Sequence, residues 1–179
     1  MKIFTKKDSE IIKKFIIQGS VFIYPTDTIY GIGCDATNNE AVLRVRSIKQ
    51  REKKPFSVIV PSKDWIMENC KVKENDLKLL PGPYTLIFKL KKKCVAESVN
   101  LGLETLGVRI PSHWFSKIVK ETGIPVVTTS VNLSGQKYMT SIDNLDPAIK
   151  EAVDFMVYEG PKEGKPSEII DLATGTKER

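Results

Sequence analysis

A chain of 179 residues, 41% hydrophobic and 28% charged, has the length of one domain and enough apolar residues to bury a core. An excess of six positive charges and a pI near 9.1 favour an anionic partner, nucleotide or nucleic acid, without specifying one. Three scattered cysteines with no C-x-x-C spacing argue against a disulfide framework and a zinc site, and His113, the single histidine, leaves little room for a histidine-based nucleophilic device.

The opening MKIFTKKDSE has too short an apolar stretch for a signal peptide, and no run approaches membrane-spanning length, so a reducing cytoplasm with no membrane partner is expected. Ile11, Ile12, Phe15 and Ile16 recur at helical spacing, with Asp8 or Ser9 as cap. Residues 20–24 read as a buried strand. NNEAVLRVRSIK reads as a helix with Ala41, Val42, Val45 and Ile48 on one side. PFSVIV is a strand, SKDWIMENC and ENDLKLL are short helices, and residues 84–90 form a strand after the PGP turn. GVRIP is a further strand, and SHWFSKIVKETG a helix ending on Gly123. IPVVTTSV, FMVYEG and SEIIDL read as strands, with a short helix in DNLDPAIKEAV.

Helices and strands alternate, which predicts one domain over residues 1–179, an α/β fold with a helix-covered sheet. The closely spaced late strands make that sheet mixed. Lys91, Lys92 and Lys93 read as a solvated turn guarding a sheet edge. Trp65 and Trp114 read as core, and His113 as a surface residue near a helix start.

Three pairs of polar residues sit two apart: Thr26 with Thr28, Lys49 with Arg51, and Ser130 with Asn132. Residues i and i+2 share a face in extended chain and diverge by roughly 200° on a helix. Each pair therefore converges if its backbone is extended, and for Lys49 and Arg51 the helix must stop near Ile48. Each pair also has a plainer reading: turn formers, a solvated helix end, a cap. Together with Arg109 they supply hydroxyls, an amide and three cations, which suits a small anionic ligand. Two pairs stand where strand ends are expected, the usual ligand position in open α/β sheets. The set lacks a nucleophile with its base, so the chemistry it suits is positioning and charge neutralisation.

PTDTIYGIG, K-x-R followed by KPFSVIV, PGPYTLIF, VRIPSH, TTSVNLSG and PSEIIDL stand in the order found in the YrdC-like family, which the chain resembles from about residue 20 to residue 172. The resemblance implies a twisted open mixed sheet flanked by helices, with a basic concave cavity. It implies the activity of that family's threonylcarbamoyl-AMP synthases: ATP, L-threonine and bicarbonate or CO2 give L-threonylcarbamoyladenylate and pyrophosphate, for N6-threonylcarbamoyladenosine at tRNA position 37. Mg2+ would accompany ATP, with no metal site on the protein. A separate tRNA threonylcarbamoyltransferase complex would receive the adenylate, and tRNA itself is a further candidate partner.

Position by position, the resemblance makes Lys49 and Arg51 the catalytic cations on the phosphates and the threonine carboxylate, Arg51 as a planar fork and Lys49 as a point charge. Thr28, Arg109, Thr129 and Ser167 would hold threonine. Lys54, Ser130 and Asn132 would join Lys49 and Arg51 on ATP. Tyr30 either packs over the ligand or belongs to the core, and Gly31 and Gly33 permit close backbone approach. Relatives often carry glutamate at Asp27 and commonly threonine at Glu168. A carboxylate at 168 facing the cavity would add negative charge, which keeps open a paralogue acting on another carbamoyl or nucleotide substrate. The other alternative is a non-catalytic RNA-binding module, steeply salt-dependent and indifferent to threonine.

Overall fold

A computed structural model describes residues 1–73 and 75–174 in full and the backbone of residues 176–178. Ten strands form one sheet: β1 (Lys2–Phe4), β2 (Phe22–Tyr24), β3 (Gly31–Gly33), β4 (Ser57–Ile59), β5 (Tyr84–Lys89), β6 (Thr105–Arg109), β7 (Val126–Ser130), β8 (Phe155–Val157), β9 (Glu168–Asp171) and β10 (Thr176–Glu178). Their order is β1-β8-β2-β3-β7-β4-β6-β5-β9-β10. Four neighbouring pairs are parallel and five antiparallel, so the sheet is mixed. Of the late strands, β8 and β9 lie near opposite ends of the order, and β9 pairs with β10 antiparallel. The other antiparallel pairs are the β2–β3 hairpin, β7 against both β3 and β4, and β5 against β6.

Among the described residues six α-helices flank the sheet: α1 (Ser9–Ile17), α2 (Asn39–Lys49), α3 (Lys63–Asn69), α4 (Glu97–Asn100), α5 (Phe115–Thr122) and α6 (Pro147–Ala152). Their ends follow local chemistry. The side chains of Asn38, Ser62 and Asp146 cap α2, α3 and α6 by accepting backbone N–H groups. Gly123 closes α5 in the left-handed conformation, as expected. Among the described residues no helix is long and apolar enough to cross a membrane.

Strand alternation sorts the core into two layers. Ile32, Val58, Val108 and Val127 join Ala41, Val42 and Val45 of α2 on one face. Phe22, Tyr24, Ile59 and Val126 meet Ile12 and Ile16 of α1 and Phe115 and Ile118 of α5 on the other, with Phe22 stacked on Phe155 and Tyr24 on Phe115. Further along that second face the same alternation presents Ser57 rather than Ile59 and Thr128 rather than Val126, and the apolar layer gives way to a polar hollow.

One segment crosses this hollow. Residues 158–167 join β8, second in the order, to β9, ninth. Seven strand spacings of ~4.8 Å make ~34 Å, and eleven extended steps of ~3.3 Å cover ~36 Å, so the segment runs nearly straight as a strap. A Cβ on Gly164 would stand 2.0 Å from the Thr28 carbonyl oxygen, so only glycine lets the strap lie this close.

Lys91, Lys92 and Lys93 follow an interior strand, not an edge: β5 lies between β6 and β9. Lys91 donates to the Met67 carbonyl and Lys92 pairs with Glu68, which ties the turn to α3.

Candidate functional site

The β2–β3 hairpin folds its tip inward. Thr26 and Thr28 are both buried, with hydroxyls 2.9 Å apart, so this pair converges. Thr26 Oγ1 donates its one proton to the Ile29 carbonyl, so the bond between the hydroxyls is donated by Thr28. Thr28 Oγ1 in turn accepts from Arg109 Nη2 at 3.3 Å. That nitrogen also reaches Asp27 Oδ1 at 2.9 Å, while Asp27 Oδ2 accepts the Ser112 N–H. Burial pulls the Arg109 pKa down and Asp27 opposes the fall. Arg109 Nε is buried with no partner.

The second pair converges by a different backbone. Helix α2 continues through Lys49, and Gln50 then takes the left-handed conformation with φ 50°. The expected extended stretch after Ile48 is absent; one left-handed residue reverses the chain instead. Lys49, 2% exposed, sends Nζ to the carbonyl oxygens of Ser130 and Asn132 and to Asn132 Oδ1. Burial, then the charge of Arg51, lowers its pKa to about 7. Arg51 donates from Nη1 to Thr129 Oγ1 and from Nη2 to the Pro55 carbonyl, and its Nε is buried without a partner.

The third pair is the acceptor for the second. Ser130 ends β7, and its hydroxyl donates to Asn132 Oδ1 at 2.6 Å. The Asn132 amide nitrogen donates to the Leu133 and Gln136 carbonyls, so every polar atom of that side chain is engaged. Asn132 shapes the turn after β7 and presents no free group.

These elements surround a cavity of about 200 Å³. Of the residues expected in the site, Arg51, Arg109, Thr129, Ser130 and Ser167 line it. Thr28 supports Arg109 from behind, and Lys49 and Asn132 reach the wall through Ser130. Lys54 is exposed and not part of the lining. Tyr30 belongs to the core and also lines the cavity: its ring is buried, and its hydroxyl donates to the Gly160 carbonyl and accepts the Glu159 N–H of the strap. Ser167 shares a hydrogen bond with Thr85 across the β5–β9 pair. Glu168 is exposed, because strand alternation turns it away from the wall that holds Ser167 and Ile169.

Several lining residues were not singled out from the sequence: Ser57 and Thr85 are isolated hydroxyls inside apolar strands, and Thr128 stands beside Thr129 and Ser130 at the end of β7. Arg46 was also missed, although an arginine on the buried stripe of α2 is itself a signal. His113 is not a surface residue; its side chain is 12% exposed and bonds to the Glu159 carboxylate, which also accepts from Trp114 Nε1. Burial lowers the His113 pKa against the pull of Glu159.

Among the described residues, Arg46, Lys49 and Arg51 form no ion pair. Burying cations without counter-charge is costly, and two orphaned guanidinium N–H groups add to the cost. An anion in the cavity, beside Arg51 and Arg109, would offset part of that cost.

The Sua5/YciO/YrdC family model, described as telomere recombination, matches residues 14–178. A protein of Methanocaldococcus jannaschii, named provisionally as a threonylcarbamoyl-AMP synthase, is 40% identical over 176 residues, 93% of this chain and 81% of its own. The threonylcarbamoyl-AMP synthase of Xanthomonas campestris is 33% identical over 171 residues, 89% of this chain and 90% of that one. P. abyssi Sua5, solved in complex with L-threonine, superposes with a TM-score of 0.85 at 25% identity. The superposition covers 96% of this chain and 54% of the other, so the present chain spans about half the length of that relative.

Proposed function

We propose, for a chain that belongs to the Sua5/YciO/YrdC family, that its reaction is the ATP-dependent synthesis of L-threonylcarbamoyladenylate. The observation that carries the reading is a small cavity walled by hydroxyls and lined by two arginines, Arg51, which has no carboxylate partner among the described residues, and Arg109, with the Lys49 ammonium held behind Ser130. Sites that enclose drug-sized ligands run to ~300–1,000 Å³. A cavity of about 200 Å³ suits an amino acid, with the nucleotide entering from the rim where Arg51 and Ser130 stand.

Threonine's amine takes up CO2, losing a proton, to give a carbamate. One carbamate oxygen attacks the α-phosphorus of ATP as the bond to pyrophosphate breaks. Both partners are anions, so the protein's work is to hold them together against repulsion. The guanidinium groups of Arg51 and Arg109, which line the cavity, would receive the carboxylate and the carbamate. Lys49 fixes the Ser130–Asn132 turn and adds positive charge behind it. Thr28 orients Arg109, Thr129 orients Arg51, and Ser167 with Thr85 closes the strap side. Lys54, at the exposed outer end of the Arg51 loop, is left for the distal phosphates.

Mg2+ would enter on the nucleotide phosphates. There it would neutralise phosphate charge. Glu168 faces away from the cavity, so it gives no reason to prefer a paralogue with another substrate. A cavity of about 200 Å³ favours an amino acid over a structured RNA backbone as its occupant. The adenylate would pass to a separate tRNA threonylcarbamoyltransferase complex in the cytoplasm. Protein given ATP, Mg2+, bicarbonate and L-threonine should release pyrophosphate and form the adenylate. An unchanged rate without threonine would exclude this reaction.

A further inference from the structure

Arg46 lies in none of the six family stretches, yet it holds together the loop that carries Arg51. It sits on α2 one turn before Lys49 and is 7% exposed. Its guanidinium collects carbonyl oxygens from two segments distant in sequence. Nε donates to Ser98 at 2.6 Å and Nη2 to Val99 at 3.1 Å. Nη1 donates to Arg51 at 2.9 Å and to Lys54 at 3.1 Å, with the Glu52 carbonyl at 3.4 Å. Arg46's own carbonyl accepts the Arg51 N–H at 3.1 Å, so Arg51 is gripped through both of its peptide groups.

The side chains are coupled as well. The Phe56 ring has the Arg46 guanidinium 4.5 Å and the Arg51 guanidinium 5.2 Å from its centre, and Phe56 lines the cavity. The Phe56 N–H donates to the same Val99 carbonyl that accepts from Arg46. Residues 51–55, between α2 and β4, form no helix or strand, and Glu52, Lys53 and Lys54 are exposed. Left to itself, such a loop would not hold a long arginine side chain in one place.

We propose that Arg46 is the positioning residue of the anion clamp: its planar fork, bridging α4 to the loop after α2, sets where Arg51 points. The inference rests on the reading above, in which Arg51 holds an anionic substrate. A lysine keeps the charge but is a point donor on a flexible stem and cannot serve both segments at once. Geometry, not charge, is what Arg46 supplies.

Arg46→Lys and Arg46→Met should therefore be impaired alike, each losing about 100-fold in kcat/KM for threonine-dependent pyrophosphate release. The discriminating readout is coupling to Arg51. Arg51→Lys should cost at least about 30-fold in the wild-type background and less than about 3-fold in Arg46→Met, while the effects on Tm simply add. A residue that only stabilised the fold would leave the cost of Arg51→Lys the same in both. Amide hydrogen exchange of residues 50–56 in the ligand-free protein should quicken in both Arg46 variants. Should Arg46→Met not fold, Arg46→Gln, which keeps donors for one segment, takes its place. The proposal is overturned if Arg46→Lys turns over within 3-fold of wild type, or if Arg51→Lys costs the same in both backgrounds. If the wild-type protein releases no threonine-dependent pyrophosphate, the activity reading fails instead. The exchange experiment then decides on Arg46 alone, and unchanged protection of residues 50–56 would overturn it.

Discussion

Adding ATP at pH 7.5 should draw protons out of solution, and Lys49 sets the amount. Three oxygens surround its Nζ, and an ammonium can donate to all three, whereas a neutral amine has two N–H groups. Against this, burial and the Arg51 charge hold the pKa near 7. At pH 7.5 such a group is about one-quarter protonated. A polyanion beside it restores the ammonium, and a shift to about 9 or above means uptake of about 0.7 proton per nucleotide bound. Titration calorimetry in two buffers of different ionisation enthalpy reads this number directly. Lys49→Met supplies the control, because the nucleotide's own titration is common to both proteins. The same depressed pKa fixes a sign for stability. A buried lysine that would titrate near 10.5 when unfolded carries its full penalty below pH 7, and the penalty fades as pH rises toward 10.5. Between pH 7 and 9 the ligand-free wild type should gain about 2 kcal/mol relative to Lys49→Met, at about 1.4 kcal/mol per pKa unit. Equal proton uptake by the two proteins would refute the reasoning.

Arg51→Ala should lower pyrophosphate release at least about 100-fold with little change in Tm, because it removes a charge aimed at the reacting groups rather than a core contact; near-normal turnover would remove Arg51 from the clamp. Gly107→Ala places a Cβ 2.5 Å from Ser57 Oγ and 3.3 Å from Thr85 Cγ2, both cavity-lining residues. It should cost threonine about 10-fold more than serine in kcat/KM, with Ser57→Gly in the same chain restoring the ratio; equal losses would show that the substrate side chain lies elsewhere. Glu159→Gln replaces the carboxylate that gathers His113, Trp114 and Lys162 at the near end of the strap. It should cost about 1–2 kcal/mol of stability and raise the KM for threonine; an unchanged melt and KM would mean that Tyr30 holds the strap unaided.

Most elements were legible because their periodicity is strong. The stripe Val42, Val45 and Ile48 marks α2, and the runs at β5 and β7 mark strands that bury both faces. The elements that went unread are short. β1, β3, β10 and α4 have three or four residues each, too few to show a period, and β3 is Gly-Ile-Gly, whose glycines read as loop. In β3 they serve packing instead: a Cβ on Gly33 would meet the Val127 carbonyl oxygen at 1.8 Å.

The site was legible as an inventory and misread in one piece of geometry, and the reason is general. Spacing of two lets side chains converge in extended chain, but Thr26 with Thr28 and Ser130 with Asn132 converge at bends that follow β2 and β7. A left-handed residue between two positions reverses the chain and brings them together as well. Sequence announces that conformation when the residue is glycine and hides it when, as here, it is Gln50. A non-glycine residue in this region is uncommon and needs support from its surroundings. The Gln50 N–H accordingly donates to the Ser47 carbonyl, and Arg46 holds both the N–H and the carbonyl of Arg51. The turn that aims Arg51 is thus paid for by a buried arginine four residues upstream, and for that reason a K-x-R motif read alone could not disclose how it works.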